Sequence, residues 1–350
     1  MTKNLERYRC QINLPHFGVD TQNRLANAKV LIIGAGGLGC PTAQYLAASG
    51  LGTIGLADDD IISMDNLHRQ ILYTPADIGK RKVDVAAERL RQQNPAIHVA
   101  TYPMRVTADN VMDLIADYDI IVEGTDNFET KGLLNDACVL SGKPLVYGAI
   151  YQYEGQVSIW NVRQPDGSYS ANYRDVFPEV EEAQVPNCRE GGVIPTLAGI
   201  IGSMQANEVL KYFSQPAATL SGKLWMINVI DGTCRTIRLK KSTGTIISTL
   251  PTTTPVVDWS TFKKMPEKFE LIDVRNTTEH DAFDIGGRSI PLPELPFTSQ
   301  QLAEVSRPIL FYCTSGARSA AAVRYMKQHY PQKAVYSLKD GLQHVDGPPL

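Results

Sequence analysis

The segment that most constrains the fold is a glycine-rich turn between an apolar run and a helical pattern. Residues 28–33 form a short apolar run that predicts a buried strand, Gly34-Ala-Gly-Gly-Leu-Gly39 follows it, and residues 41–49 have helical spacing. The turn fits G-x-G-x-x-G in the strand-turn-helix context that gives this pattern its meaning. Backbone N–H groups of such a turn, together with the helix dipole, can bind phosphate. The pattern therefore predicts a nucleotide-binding α/β sheet.

Apolar runs recur after this turn, with a helical stretch between them. Residues 53–57, 119–123 and 144–148 have the composition of buried strands, and residues 80–93 have a helical pattern. Strands that alternate with helices form a parallel sheet whose two faces are both covered. We therefore expect an α/β fold with a Rossmann-like, doubly wound, mostly parallel sheet, whose ligand lies at the carboxyl ends of the strands.

The length of the chain predicts two domains. Its 350 residues exceed what one hydrophobic core usually organises, and a typical domain has about 150 residues. A stretch rich in Thr and Pro precedes Asp258, and a second, small α/β pattern begins after it. We predict a first domain over residues 1–245, a linker over residues 246–258 and a second domain over residues 259–350.

Composition excludes several classes of protein. Lys and Arg number 34 and Asp and Glu number 37, so the net charge of −3 predicts no general attraction to nucleic acid or anionic membranes. No stretch approaches the about 18 apolar residues that a membrane helix needs, and the polar N-terminus lacks the apolar region of a signal peptide. Six scattered cysteines without a C-x-x-C pair do not form a disulfide framework. We expect a soluble, cytoplasmic protein.

Asp58 ends the second predicted strand. An acidic residue at this position accepts the ribose hydroxyls in dinucleotide-binding sheets, so the glycine turn and Asp58 alone favour a nicotinamide-dependent oxidoreductase. The residues that follow argue against that interpretation, because closely spaced donors suit a triphosphate. These donors are Asn66, Arg69, Gln70 and Lys82. Asp126 follows the strand at 120–123 and could hold a magnesium ion at the same edge of the sheet.

From Arg7 to about Lys240 the chain resembles the MoeB/ThiF family, the bacterial relatives of ubiquitin-activating enzymes. The matching segments are Arg7-Tyr8, Gly34-Ala-Gly-Gly-Leu-Gly-Cys-Pro, Asp58-x-Asp60, Asp65-Asn-Leu-His-Arg-Gln70, Gly79-Lys-x-Lys82, Thr125-Asp-Asn127, Glu154-Gly-Gln156 and Ile201-Gly-Ser-x-Gln-Ala-x-Glu208. The resemblance implies a homodimer that uses ATP to adenylate the C-terminal Gly-Gly carboxylate of a ubiquitin-like sulfur carrier of the MoaD or ThiS type.

The resemblance also implies residue roles. Gly34, Gly36, Gly37 and Gly39 would approach the nucleotide, Asp58 would bind its ribose, Asn66, Arg69, Gln70 and Lys82 would hold its phosphates, and Asp126 would bind Mg²⁺. These cations and the metal would neutralise the charge that develops as pyrophosphate leaves.

The chain departs from the family pattern at two places. Cys10 stands where the family has an arginine that reaches the partner subunit's ATP, and Arg9 is a candidate substitute. Many relatives bind zinc through two C-x-x-C pairs. The matching positions here lack thiolates, so we expect no zinc site. They are Asn172, Asp175, Thr245 and Ser248.

Cys188 matches a cysteine that in some relatives links to the carrier through a thioester or a disulfide. Its neighbour Arg189 could favour the reactive thiolate, and an unreactive loop thiol is the alternative.

The second domain contains a cysteine loop between an apolar strand and a helix. The loop Cys313-Thr-Ser-Gly-Ala-Arg-Ser319 aims N–H groups and a helix N-terminus at the sulfur, and Arg318 adds a cation. This loop, and the segment Leu271-Ile-Asp-Val-Arg-Asn276 with Glu279-His280, resemble the rhodanese family. The resemblance implies a small α/β domain in which Cys313 carries sulfur as a persulfide.

Together these features predict a two-domain adenylyltransferase and sulfurtransferase. It would use ATP and Mg²⁺, act on a ubiquitin-like carrier and take sulfur from a desulfurase or thiosulfate. The product would be a carrier thiocarboxylate for molybdopterin, thiamine or tRNA thiolation. Two alternatives remain: an adaptor that binds ubiquitin-like proteins through an impaired ATP site, and a dinucleotide-dependent oxidoreductase.

Overall fold

A computed structural model describes residues 5–178, 191–242, 244–251, 254–342 and 345. These residues form two compact units, one ending at Pro251 and the other starting after it. Each unit is built on its own sheet. No helix in the described ranges is long and apolar enough to cross a membrane.

The first unit contains an eight-stranded sheet in the order β3-β2-β1-β4-β5-β6-β7-β8. Strands β1 to β5 are parallel neighbours, and β6 to β8 add an antiparallel extension. The strands are β1 (Lys29–Ile33), β2 (Thr53–Ala57), β3 (His98–Tyr102), β4 (Ile120–Glu123), β5 (Leu145–Tyr151), β6 (Glu154–Trp160), β7 (Lys223–Asn228) and β8 (Cys234–Arg238). The predicted doubly wound, mostly parallel α/β sheet is confirmed.

Helices cover both faces of the parallel part of this sheet. They are α1 (Arg9–Ile12), α2 (Gly18–Asn27), α3 (Gly39–Ala48), α4 (Lys82–Gln93), α5 (Val111–Ala116), α6 (Phe128–Ser141), α7 (Tyr173–Val176) and α8 (Pro195–Ser214). The side chains of β1 alternate between the faces: Val30 and Ile32 join the core packed by α3 and α4, whereas Leu31 and Ile33 join the core packed by α5 and α6. This alternation explains why a strand buried on both faces is a continuous apolar run.

The order of the strands creates a switch point beside β1. The chain runs from β1 to β2 and β3 on one side and returns to β4 on the other side, with β1 paired in parallel to both β2 and β4. Loops that leave β1 and β4 therefore diverge above the sheet. A crevice at the carboxyl ends of these strands is where doubly wound sheets bind ligands.

The second unit is a smaller α/β unit with a five-stranded parallel sheet in the order β11-β10-β12-β13-β9. Its strands are β9 (Val256–Val257), β10 (Glu270–Asp273), β11 (Arg288–Ser289), β12 (Ile309–Tyr312) and β13 (Val335–Leu338). Its helices are α9 (Trp259–Lys264), α10 (Thr277–Ala282), α11 (Leu295–Glu304) and α12 (Ala317–His329). The predicted small α/β unit is confirmed; its first strand lies at residues 256–257, which the sequence had assigned to the linker.

Candidate active sites

The glycine turn lies at the switch point, between β1 and α3. Gly34 has φ +96°, and a Cβ there would lie 2.6 Å from the carbonyl oxygen of Gly124 in the loop after β4. A Cβ at Gly39 would lie 1.9 Å from the carbonyl oxygen of Gly34. Only glycine allows these close approaches, so the turn presents backbone rather than side chains to the crevice.

Asp58 holds the same turn from the end of β2. Its Oδ2 accepts the N–H of Ala35 at 2.7 Å, and its Oδ1 accepts the N–H of Asp60 at 2.8 Å. Burial raises the pKa of this carboxyl group, although Lys82 acts in the opposite direction. Each oxygen retains a second lone pair that could accept a hydroxyl. The structure therefore places Asp58 beside the glycine turn, as the predicted role requires.

Two of the predicted donors are buried beside the turn with unused hydrogen-bonding atoms. Asn66 and Gln70 are each 3% exposed, and Gln70 Nε2 donates to Asn66 Oδ1 at 3.0 Å. Asn66 Nδ2 and Gln70 Oε1 have no partner among the described residues. A Cβ placed on Gly36 would lie 3.6 Å from Gln70 Nε2, so the pair faces the turn. Unpaired buried polar atoms are costly, and a polar ligand at the turn would satisfy them.

The two predicted cations occupy different surroundings. The Arg69 side chain lies against Gly37, since a Cβ there would be 3.5 Å from its Cγ, and its Nη1 donates to the Asp65 carbonyl at 3.3 Å. Lys82 is 3% exposed, and its Nζ donates to Asp60 Oδ2 at 2.7 Å. Asp60 was not among the predicted site residues; it neutralises the cation in this structure. The structure thus brings both cations to the edge that carries the glycine turn.

Asp126 is exposed in the loop that follows β4, and a buried ion pair anchors that loop. Glu123 Oε1 accepts the backbone N–H and the hydroxyl of Thr125 at 2.7 and 2.5 Å. Lys131, on α6, donates to Glu123 and to the carbonyls of Thr125 and Gly148, the latter two at 3.0 Å. Sequence reasoning missed Glu123 and Lys131. The available signal was a carboxylate at the end of an apolar strand and a lysine within a mostly apolar helix.

These residues fit a nucleotide and a magnesium ion. The backbone turn, the unpaired Asn66 Nδ2 and the two cations are donors that an anionic phosphate chain requires, and the unpaired Gln70 Oε1 can accept a hydroxyl or an amino group of the nucleotide. Asp126 offers an exposed carboxylate, and Mg²⁺ in phosphate sites is usually held by one or two carboxylates plus the phosphates.

The positions that match the zinc ligands of relatives do not fit zinc. Asn172 and Asp175 form a capping box at α7: Asp175 Oδ2 accepts the Asn172 N–H at 2.8 Å, and Asn172 Oδ1 accepts the Arg174 N–H at 2.9 Å. Asp175 Oδ1 also accepts the N–H of Ser242 at 3.1 Å. The other two positions, Thr245 and Ser248, line a cavity of about 330 Å³ next to Asp136 and Arg174. The side chains of Asn172 and Asp175 are thus committed to protein hydrogen bonds, and no thiolate is present.

Three further residues of the first unit were singled out in the sequence: Cys10, Arg9 and Cys188. Cys10 and Arg9 are exposed on α1. Cys188 lies outside the described residues. Cys40 and Cys138 are fully buried, and burial raises the pKa of the Cys40 thiol to about 12.

The second unit holds Cys313 in a loop between β12 and α12. The Gly316 N–H donates to Cys313 Sγ at 3.1 Å, and the Ser319 hydroxyl oxygen lies 3.6 Å from the same sulfur. Gly316 has φ +92°, and α12 begins at the next residue. Backbone N–H groups and a helix N-terminus aimed at a sulfur stabilise its anionic form. In this loop, the Gly316 N–H is one such donor to the Cys313 sulfur.

Arg318, the predicted cation of this loop, is paired with Glu279. Arg318 Nη1 donates to Glu279 Oε2 at 2.7 Å, and Nη2 donates to Oε1 at 2.6 Å. Hydrogen bonds from Arg318 lower the pKa of Glu279 to about 2. Sequence reasoning used Glu279 only as part of a motif and did not assign it to the site, because its partner lies 39 residues away.

Comparison with known families identifies two regions. The model of the ThiF family matches residues 8–245, and the model of the rhodanese-like domain matches residues 258–346.

Comparison with known proteins finds relatives that match most of this chain. The chain is 37% identical to a "Probable adenylyltransferase/sulfurtransferase MoeZ" of Mycobacterium tuberculosis, over 93% of this chain and 89% of the relative. It is 33% identical to "Adenylyltransferase and sulfurtransferase MOCS3" of Anopheles gambiae, over 96% of this chain and 84% of the relative. It is 39% identical to a "Sulfur carrier protein adenylyltransferase" of Thermus thermophilus, over 74% of this chain and 97% of the relative.

Solved structures share the fold of the first unit. Escherichia coli MccB with AMPCPP and MccA has a TM-score of 0.61 at 22% identity, covering 70% of this chain and 75% of that one. PaaA has a TM-score of 0.57 at 25% identity, covering 69% of this chain and 75% of that one.

Proposed function

The chain belongs to the ThiF family and carries a rhodanese-like domain, and from this premise we propose that it adenylates a sulfur carrier protein and then transfers sulfur to it. The names of the relatives support both activities, because MoeZ and MOCS3 are adenylyltransferases and sulfurtransferases and the Thermus relative acts on a sulfur carrier protein. The proposal rests on two sites: hydrogen-bond donors surround the glycine turn in the first unit, and the second unit contains the Cys313 loop.

The first step joins two anions. A C-terminal glycine carboxylate of the carrier attacks the α-phosphorus of ATP, the bond to the bridging oxygen of pyrophosphate breaks, and a carrier acyl-adenylate forms. The glycine turn binds phosphate through its N–H groups, and Asn66 and Gln70 use their unpaired atoms on the nucleotide. Arg69 and Lys82 offset negative charge, and Asp58 accepts ribose hydroxyls. Asp126 would hold Mg²⁺, which neutralises the leaving pyrophosphate when it is bound. A carboxylate nucleophile needs no general base.

The second step uses Cys313. Its thiolate takes the sulfane sulfur of a donor and becomes a persulfide, while the donor's leaving group departs with the bonding electrons. The terminal sulfur attacks the acyl carbon of the carrier adenylate, or of a Cys188-linked carrier formed from it, and displaces AMP or that thiolate. A second thiol then attacks the resulting acyl disulfide, which releases the thiocarboxylate and leaves a disulfide. The N–H of Gly316 stabilises negative charge on the Cys313 sulfur during these exchanges.

We further propose a cytoplasmic homodimer whose partners are a ubiquitin-like carrier ending in Gly-Gly and a sulfur donor, either a desulfurase or thiosulfate. Neither nucleic acid nor membrane is proposed as a partner, since the net charge is only −3.

ATP–pyrophosphate exchange tests the first step. Exchange is expected only with magnesium and a Gly-Gly carrier, and Asp126→Ala should abolish it because the metal loses its carboxylate. Asp113→Ala, which removes an exposed aspartate from α5 of the same unit, is the matched control and should retain exchange. Exchange that survives Asp126→Ala, or oxidation of NADH by the protein, would contradict the assignment.

Mass spectrometry of the carrier tests the second step. Cys313→Ala should leave exchange intact while it abolishes both the persulfide and the thiocarboxylate. Cys188→Ala should spare exchange and persulfide but lower transfer. A normal yield of thiocarboxylate from Cys313→Ala, with thiosulfate or a desulfurase as donor, would refute the role of the rhodanese-like domain.

A further inference from the structure

Arg318, the cation of the Cys313 loop, forms an ion pair with the carboxylate of Glu279. Glu279 accepts two parallel hydrogen bonds from Arg318, and the Thr314 hydroxyl donates to Glu279 Oε1 at 3.0 Å. Arg318 Nη2 also reaches the Thr314 oxygen at 3.2 Å. A two-point contact between a guanidinium and a carboxylate has the geometry that arginine would otherwise offer to an oxyanion. In this structure, Glu279 accepts the two parallel hydrogen bonds that the Arg318 guanidinium could otherwise donate to an oxyanion.

Glu279 is held in place by contacts that do not involve Arg318. It is the N3 residue of a capping box at α10, in which Asn276 Oδ1 accepts the Glu279 N–H at 2.9 Å and Glu279 Oε2 accepts the Asn276 N–H at 3.1 Å. The next residue, His280, lies with Nδ1 2.9 Å from Oδ2 of the fully buried Asp273. The carboxylate is therefore positioned in advance, and little order has to be gained when it pairs with Arg318.

The charges of Arg318 and Glu279 affect which class of sulfur donor can bind at this site. Side chains of Arg318 and Glu279 are 23% and 31% exposed, so a solute can reach them. The low pKa of Glu279 keeps it anionic throughout the physiological range. A donor that ends in a sulfonate must either displace Glu279 from Arg318 or bind beside a neutralised cation.

We propose that Glu279 is a specificity-determining residue of the sulfur site that competes with anionic sulfur donors for Arg318. It lowers the affinity for small dianions such as thiosulfate relative to donors that carry less charge. This inference rests on the proposed sulfurtransferase function. In the reaction concerned, the Cys313 thiolate attacks the outer sulfur of thiosulfate, the sulfur–sulfur bond of thiosulfate breaks, and sulfite leaves with the electron pair. No oxidant or reductant is consumed.

Steady-state transfer of sulfur from thiosulfate to cyanide by the full chain tests the proposal. Glu279→Gln keeps the length of the side chain and a capping-box acceptor but removes the charge. The KM for thiosulfate should fall about 2- to 5-fold with kcat within about twofold of the parent value, since a partly exposed ion pair is being removed. With a monoanionic thiosulfonate as donor, the fall in KM should be smaller. Asp281→Asn removes an exposed charge from the same helix and should leave KM unchanged.

The other outcomes of this experiment distinguish a competing role of Glu279 from a role in orienting Arg318. An unchanged or increased KM in Glu279→Gln overturns the proposal, because Glu279 would then serve only to orient Arg318. A melting midpoint of the variant near that of the parent establishes that it is folded, and Glu279→Asp, which keeps the charge but shortens its reach, should give an intermediate KM.

The proposed function is tested separately, by mass spectrometry of Cys313 after incubation with a cysteine desulfurase and cysteine. If the parent gains a sulfur atom there while neither the parent nor Glu279→Gln gains one from thiosulfate, the role of Glu279 is refuted and the sulfurtransferase function stands. If the parent gains none from either donor, the proposed function itself fails. Sulfur uptake from thiosulfate by Glu279→Gln alone would support the competition in its strongest form.

Discussion

Replacement of Lys131 by Met should destabilise the first unit strongly. Lys131 is 5% exposed and Glu123 is fully buried, so the variant leaves an uncompensated carboxylate in the interior and removes the donor from the Thr125 and Gly148 carbonyls. Removal of one partner of a buried ion pair typically costs about 3–5 kcal/mol. For a unit of this size, each kcal/mol lowers the melting midpoint by about 2–4 °C, so a fall of roughly 6–20 °C is expected.

Calorimetry of the full chain measures this effect, and a double-mutant cycle identifies its cause. Glu123→Gln alone should also destabilise the unit, because Lys131 would then be a buried charge without a counter-ion. The double variant should be less destabilised than the sum of the single variants by at least about 2 kcal/mol, since no unpaired charge remains. Additive effects, or a midpoint for Lys131→Met within about 2 °C of the parent, would show that the pair is not coupled in this way. ATP–pyrophosphate exchange by folded Lys131→Met should also fall, because the loop that carries Asp126 loses its anchor.

Three further outcomes follow from the contacts described. Gly34→Ala should cost about 1–3 kcal/mol from backbone strain alone and should abolish ATP binding measured by calorimetric titration, because its Cβ would meet the Gly124 carbonyl; an unchanged affinity would count against the turn. Elemental analysis should find no stoichiometric zinc, and one tightly bound zinc per chain would reveal ligands other than those considered. Burial opposes the shift, but hydrogen bonds from Thr74 lower the pKa of Asp77 to about 2, below its unfolded value of 3.8. The stability difference between the parent and Asp77→Asn should therefore be constant above pH 5 and shrink as the pH falls from about 4 towards 2, as denaturant titrations would report.

The parts of the fold that could be predicted from sequence are those buried on both faces. The runs at 28–33, 53–57 and 119–123 correspond closely to β1, β2 and β4, because a strand covered on both faces must be apolar throughout. Strands β3 and β6 were not predicted. β3 is a short mixed segment, His98–Tyr102, and β6 alternates polar residues with Gly155, Val157 and Ile159, so neither contains a continuous apolar run; the strand signal in β6 is the alternation itself.

Some residues of the candidate sites could be predicted from sequence, and others could not. Residues close together in sequence, such as the glycine turn and the loop from Cys313 to Arg318, could be found because their spacing and their position after a strand carry the information. Glu279 and Lys131 act through partners that the fold brings to them. Whether such a charge is solvated or paired depends on burial and on the direction of a helix face, and neither is encoded by a local pattern.

The pairing of β9 with β13 has a consequence for how the protein is made. The first strand of the second unit hydrogen-bonds with the last one, through Val256 beside Ser337 and Val257 beside Leu338. A ribosome that synthesises about 5–20 residues per second therefore delivers the two ends of this sheet several seconds apart. The nucleotide-binding sheet can assemble while translation continues, whereas the sulfur-carrying sheet must wait for the final part of the chain. Nascent chains stalled before Val335 should thus bind ATP but show no protease-resistant second unit.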